Sequence, residues 1–157
     1  MTMLPMMHGL YFEEFEVGQK VITPGRTITE ADIVGFAGIS GDFNSIHTDA
    51  VFSDGTGFGQ RVAHGLLGLS IASGLLVRSG VMEGTVMAFR EIMNWKFSQP
   101  IYIGDTIHVV LEVSEMKALP RLGGGSLLLT LHVQNQDDVT VMKGQWSVLV
   151  QSKPAEA

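Results

Sequence analysis

The stretch Gly65-Leu-Leu-Gly-Leu-Ser-Ile-Ala-Ser-Gly-Leu-Leu-Val77 decides the fold. It is apolar nearly all round, so as a helix it is expected to be buried on most sides. It is too short for a membrane span, and serines and glycines interrupt it. Gly68 and Gly74 are poor helix formers. Together with Ser70, Ala72 and Ser73 they make sense where other backbone approaches closely, and a sheet wrapped around the helix would supply that backbone.

The chain after this helix offers such a sheet. Residues 85–97, 106–116, 126–135 and 139–150 are strand candidates, rich in β-type or apolar residues around 127–133 and 139–142. Gly104-Asp105 and Gln136-Asp-Asp138 mark turns between them. Before the helix, residues 20–27 read as a first strand interrupted by the turn pair Pro24-Gly25. Thr29-Glu-Ala-Asp32 then opens a helix. Thr29 caps it, Glu30 and Asp32 occupy the first turn, and Ile33, Val34, Phe36 and Ala37 form its apolar face. That helix should stop before Gly41-Asp42. The expected architecture is α+β: one long central helix wrapped by an antiparallel sheet of about five strands.

The 157 residues suit one domain, taken as 11–150, between a loose lead-in at 1–10 and a tail at 151–157. The absence of cysteine excludes a disulfide scaffold, a thiol nucleophile, an iron–sulfur site and a Cys-based zinc site. Ten Lys and Arg against sixteen Asp and Glu give a net charge of −6, with no basic run, which argues against nucleic acid as a partner. No stretch reads as a membrane span or signal peptide, so the expected location is the cytoplasm.

Residues 41–61 hold many glycines, aspartates and other turn formers, and form a long stretch for a plain connection. Within it, Ser40-Gly-Asp-Phe-Asn-Ser-Ile-His47 is the sharpest chemical motif. Asp42 and His47 are five residues apart, so no helix face aligns them. A turn can, because Gly41 and Asn44 tolerate turn geometry and Asn44 can brace the loop. A carboxylate and an imidazole can hold and activate one water between them. The plainer alternative is an Asp that caps a turn beside a partly buried His.

Arg61-Val-Ala-His-Gly-Leu-Leu67 leads into the apolar helix. Free N–H groups at a helix start favour negative charge, and Gly65 lets an oxyanion come close. The alternative is a Gly that only starts a tightly packed helix. His64 reads as a structural polar contact. A metal held by His47 and His64 matches no standard ligand spacing, so no metal is expected. The two segments together describe a hydration site: Asp42 and His47 for water, and an amide dipole for a carbonyl gaining negative charge.

Gly41-Asp42-Phe43-Asn44-Ser45-Ile46-His47 resembles the Gly-Asp-x-Asn-Pro-x-His signature of the MaoC-like, (R)-specific enoyl-CoA hydratases and acyl dehydratases. Ser45 stands where that family has Pro. Residues 11–18, 26–32, 58–67 and 97–106 are similar to other segments of the family, so the resemblance spans about 11–150. It implies the hot-dog fold, with a central helix as the sausage and an antiparallel sheet as the bun. It also implies a homodimer with a continuous sheet and an acyl tunnel near the dimer interface.

By the same resemblance, Asp42 and His47 form the catalytic dyad, Gly65 N–H is the oxyanion donor, and Asn44, His64 and Ser73 bind substrate or support the site. The reaction implied is reversible hydration of a trans-2-enoyl-CoA. No cofactor is required, because coenzyme A is part of the acyl-CoA substrate. Met82, Met87, Phe89 and Met93 are candidates to line the tunnel. Arg61, Arg90, Lys96 and Arg121 are candidates for the coenzyme A phosphates. Two rival functions share the fold: an acyl-CoA thioesterase and a non-catalytic acyl-binding module.

Overall fold

A computed structural model describes residues 8–155. Its strands are β1 (Lys20–Ile22), β2 (Arg26–Thr27), β3 (Val86–Phe97), β4 (Thr106–Leu119), β5 (Gly124–Gln134) and β6 (Thr140–Gln151). They form one antiparallel sheet in the order β1-β4-β5-β6-β3, with β2 also pairing to β4. The helices are α1 (Glu30–Ser40), α2 (Ser45–Thr48), α3 (Ala50–Asp54) and α4 (Gly65–Arg78). This is the expected α+β hot-dog arrangement, with α4 as the long helix against the sheet.

The sheet has six strands because the first candidate divides in two. Pro24 has no N–H to give a ladder. Thr23 bridges the break: its N–H donates to the Val109 carbonyl at 3.0 Å, and its Oγ1 accepts from the Val109 N–H at 2.9 Å. Burial alternates along the central parts of β4 and β5. Ile107, Val109, Leu111 and Val113 of β4 point to the core with Leu127, Leu129, Leu131 and Val133 of β5. The outward residues between them are half-buried, so the sheet is buried fully on one face only.

On α4, Leu67, Ile71, Ala72, Leu75 and Leu76 meet that core. Gly68 packs closely there: a Cβ would lie 2.8 Å from the Met142 Cε and 2.9 Å from the Ile101 Cδ1, so those side-chain ends would have to shift. The expectation of burial on most sides fails, however. Leu66 is 60% and Val77 51% exposed, because the chain's own sheet covers only one side of α4. Gly74 has nothing within 4 Å of its missing Cβ, so close approach within this chain does not account for it.

The turn-rich stretch 41–61, long for a plain connection, contains two short helices, α2 and α3. Each begins on a side-chain cap. Asn44 Oδ1 accepts from the Ile46 N–H at 3.2 Å, and Asp49 Oδ1 from the Phe52 N–H at 2.9 Å. Asn and Asp signal turns and caps alike, which is why one-turn helices hide among them.

The expected loose ends are partly tied. Gly9 and Leu10 donate to the Glu83 and Val81 carbonyls, and Ser152 donates to Gly123. Lys153 pairs with Glu14 at 2.9 Å. Residues 1–7 of the lead-in and 156–157 of the tail lie outside the described residues. Among the described residues, no helix is long and apolar enough to cross a membrane.

Candidate active site

The site is assembled from the end of α1, the whole of α2 and the start of α4. α1 ends at Gly41, whose φ of +77° is the left-handed turn that glycine adopts without strain. That turn delivers Asp42, whose Oδ1 accepts from the Asn44 N–H at 3.2 Å. Asn44 then caps α2, so Ser45 is the first helical residue. A proline fits such a position because its missing N–H is not needed there. Serine therefore keeps the loop's hydrogen bonds and gives up only the fixed φ.

α2 places His47 inside the protein, 7% exposed. Its Nδ1–H donates to the Val62 carbonyl at 2.7 Å. Because a carbonyl only accepts, the neutral ring carries its proton on Nδ1 and presents a lone pair on Nε2. Val62 in turn donates its N–H to the Ile46 carbonyl at 3.1 Å, and Ser53 Oγ lies 3.2 and 3.1 Å from the Ser45 and Ile46 carbonyls. Ser53 is fully buried.

His64, 2% exposed, donates from Nε2 to the backbone carbonyl of Asp42 at 2.9 Å. Its ring stacks on His47 with centroids 3.7 Å apart and planes 29° apart, and it also packs against Phe36. One ligand atom from each of Asp42, His47 and His64 lies within 4.8 Å of the others. Stacked rings direct their lone pairs along neighbouring planes, whereas a metal needs them to converge at about 2.0–2.1 Å. A carboxylate and a ring nitrogen at this spacing suit a bridging water better.

Gly65 is the first residue of α4. The N-cap residue, His64, makes no side-chain cap bond. Among the described residues the Gly65 N–H has no protein acceptor. Gly65 and His47 line one cavity of about 530 Å³, whose other walls include Ile46, Phe58, Leu66, Phe97 and Met142. A Cβ on Gly65 would sit 2.8 Å from the Phe97 ring. Asp42 is exposed and forms no wall of this cavity.

The structure thus gathers Asp42, His47 and His64 into one cluster, gives Asn44 the cap that holds the loop, and sets Gly65 in the same cavity as His47. It does not bring Ser73 there. Ser73 lies about two turns further along α4, in a second cavity of about 310 Å³ with Leu76, Met82, Phe89, Trp146 and Val148. Met87 and Met93 line neither cavity. Arg61 is engaged by Glu30.

Sequence reasoning missed Ser53 and Val62. Ser53 looks like any serine in a polar stretch, and Val62 acts through its backbone, which residue type does not report.

A family model described as "MaoC like domain" matches residues 13–125. The chain belongs to this family. The chain is 36% identical over 151 residues to a 3-hydroxybutyryl-CoA dehydratase of Methylorubrum extorquens, covering 96% of this chain and 90% of that protein. It is 46% identical over 101 residues to Protein MaoC of Klebsiella aerogenes, covering 64% of this chain but only 30% of that longer protein. It is 31% identical over 105 residues to an (R)-specific enoyl-CoA hydratase of Aeromonas caviae, covering 67% of this chain and 75% of that one.

Among solved structures, the unliganded R-hydratase PhaJ1 of Pseudomonas aeruginosa superposes with a TM-score of 0.77 at 30% identity, over 95% of this chain and 94% of that one. A Mycobacterium tuberculosis protein with a double hotdog fold gives 0.83 at 22% identity, over 95% of this chain and 46% of that one, which supports the fold alone.

Proposed function

We propose that this MaoC-like domain catalyses the reversible hydration of a trans-2-enoyl-CoA to the (R)-3-hydroxyacyl-CoA. The observation that carries the reading is the Asp42–His47 cluster beside a cavity that the Gly65 amide shares. Asp42 carboxylate and His47 Nε2 each accept one O–H of the attacking water. The water oxygen bonds to C3 as one of its protons passes to the pair, and the pair returns a proton to C2. Negative charge builds on the thioester oxygen and is met by the Gly65 N–H. Losing one such donor typically costs about 3–4 kcal/mol of barrier. The names of the Methylorubrum and Aeromonas relatives and of the Pseudomonas structure support the reaction class and its (R) sense.

The working unit in this proposal is a homodimer. β3 is a twelve-residue edge strand that exposes Val86, Met87, Phe89, Ile92 and Phe97, and α4 exposes Leu66 and Val77 nearby. A long apolar edge invites pairing with a second copy, and two such edges would continue the sheet. The acyl chain would lie in the apolar space between α4 and β3 that this pairing covers.

Incubation with crotonyl-CoA tests the reaction. Loss of enoyl absorbance without free thiol supports hydration. Release of thiol would make the protein a thioesterase, and tight acyl-CoA binding without turnover would make it a binding module.

A further inference from the structure

His64 stands at the N-cap of α4, where Ser, Thr, Asp or Asn usually bond the first free amides. It makes no such bond. Its ring turns away to the Asp42 carbonyl and lies flat against His47. An Asp or Ser in its place would cap the Leu66 or Leu67 N–H, and an Asp would also offset the positive end of the helix dipole beside Gly65. His64 therefore leaves the helix start open while spending its polar capacity on the catalytic loop.

Three working groups meet at this one residue. Asp42 is held through its backbone carbonyl at 2.9 Å, the His47 ring is held face to face at 3.7 Å, and the Gly65 amide is the next peptide along the chain. The second ring nitrogen, Nδ1, is buried with no partner among the described residues. Because a carbonyl only accepts, Nε2 carries the proton given to Asp42, and Nδ1 is the ring nitrogen left without a partner.

We propose that His64 is a positioning residue that fixes the Asp42 backbone and the His47 ring relative to the Gly65 amide. This rests on the hydration reading. Its removal should disturb alignment in the transition state more than substrate binding, because His64 bonds the Asp42 carbonyl, stacks on His47 and precedes Gly65, its remaining ring contact being Phe36, while it walls none of the cavities that contain Gly65 or Ser73.

The test compares wild type, His64→Phe and His64→Gln in crotonyl-CoA hydration, with folding checked by thermal melts. Phe keeps a flat ring and loses the donor, while Gln loses the ring and keeps a donor. For His64→Phe, kcat should fall about 10–100-fold, the scale of a small misplacement. KM should stay within about threefold, as expected when a transition-state interaction is lost. His64→Gln, which keeps a donor for the Asp42 carbonyl but loses the stack on His47, should recover part of that kcat. A His64→Phe enzyme with wild-type kcat, a Gln enzyme as slow as the Phe enzyme, or a change confined to KM would overturn the proposal. The ring-nitrogen NMR spectrum of wild type gives a second readout that needs no turnover and no folded variant. A His64 ring protonated on Nε2 supports the proposal, and a ring whose proton sits on Nδ1 alone refutes it. If wild type hydrates no enoyl-CoA, the hydration reading fails, and the spectrum still decides the ring's state.

Discussion

The Nδ1–H of His47 donates to the carbonyl of Val62 at 2.7 Å, while the Val62 N–H returns to Ile46, the residue before His47. This two-way stitch fixes which nitrogen of the ring faces chemistry. Replacing His47 by Gln keeps a polar side chain but removes the ring nitrogen that accepts from water in the proposed mechanism. We expect kcat for enoyl-CoA hydration to fall by about 10²–10⁴-fold, the usual worth of a positioned proton carrier. Steady-state rates with the folded variant check this, and an unchanged kcat would assign proton transfer elsewhere.

Ser45 begins α2, and Asn44 before it has φ −53° and ψ 137°, a conformation that a following proline requires. Ser45→Pro should therefore fit without strain and stabilise the protein by about 0.4–1 kcal/mol through the unfolded chain. Thermal and denaturant unfolding measure it. A lower Tm would show that Ser45 makes a contact that proline breaks.

Much of this was readable beforehand, and the misses have physical reasons. Gly65–Val77 announced a long helix against a sheet because its apolar residues left no polar face. Gly41-Asp42 announced a turn because glycine takes the positive φ found there. The open side of α4 was not readable, since apolar residues look the same whether their own sheet or another chain covers them. The hold on His47 depends on the Val62 carbonyl, and every residue has a carbonyl. The family resemblance singles out Ser73, yet helix rise carries it into a different cavity from His47.

Acid should destabilise the fold through the cap of α1. Burial alone would raise the Asp32 carboxyl pKa. Hydrogen bonds from the Thr29 amide and hydroxyl, with the Arg26 guanidinium, outweigh that and hold it below the ordinary range. The unfolded chain then binds the proton more readily, so this stability is present above the ordinary Asp pKa and is lost as pH falls through the lowered folded value. Thr29→Ala should cost about 1 kcal/mol near neutral pH and flatten the acid side of the stability curve. Denaturant melts across acidic pH would show both, and an acid limb unchanged by the substitution would contradict the assignment.

Phe89 and Ile92 project from the outer edge strand, 49% and 40% exposed in the single chain. Replacing both by Lys should convert the expected dimer to monomer, since charge on an edge strand blocks sheet pairing. Sedimentation velocity decides the matter. A wild type that sediments as a monomer would remove the dimer from the proposal.

The most direct measurement is the rate of enoyl-CoA hydration by Asp42→Asn beside wild type, at saturating substrate, with the variant's fold confirmed. Asn keeps the size and the turn while removing the charge to which the proposed mechanism assigns the holding and activation of water. The expected result is a hydrating wild type and a variant slower by about 10²–10⁴-fold. A variant that hydrates as fast as wild type would contradict the central claim.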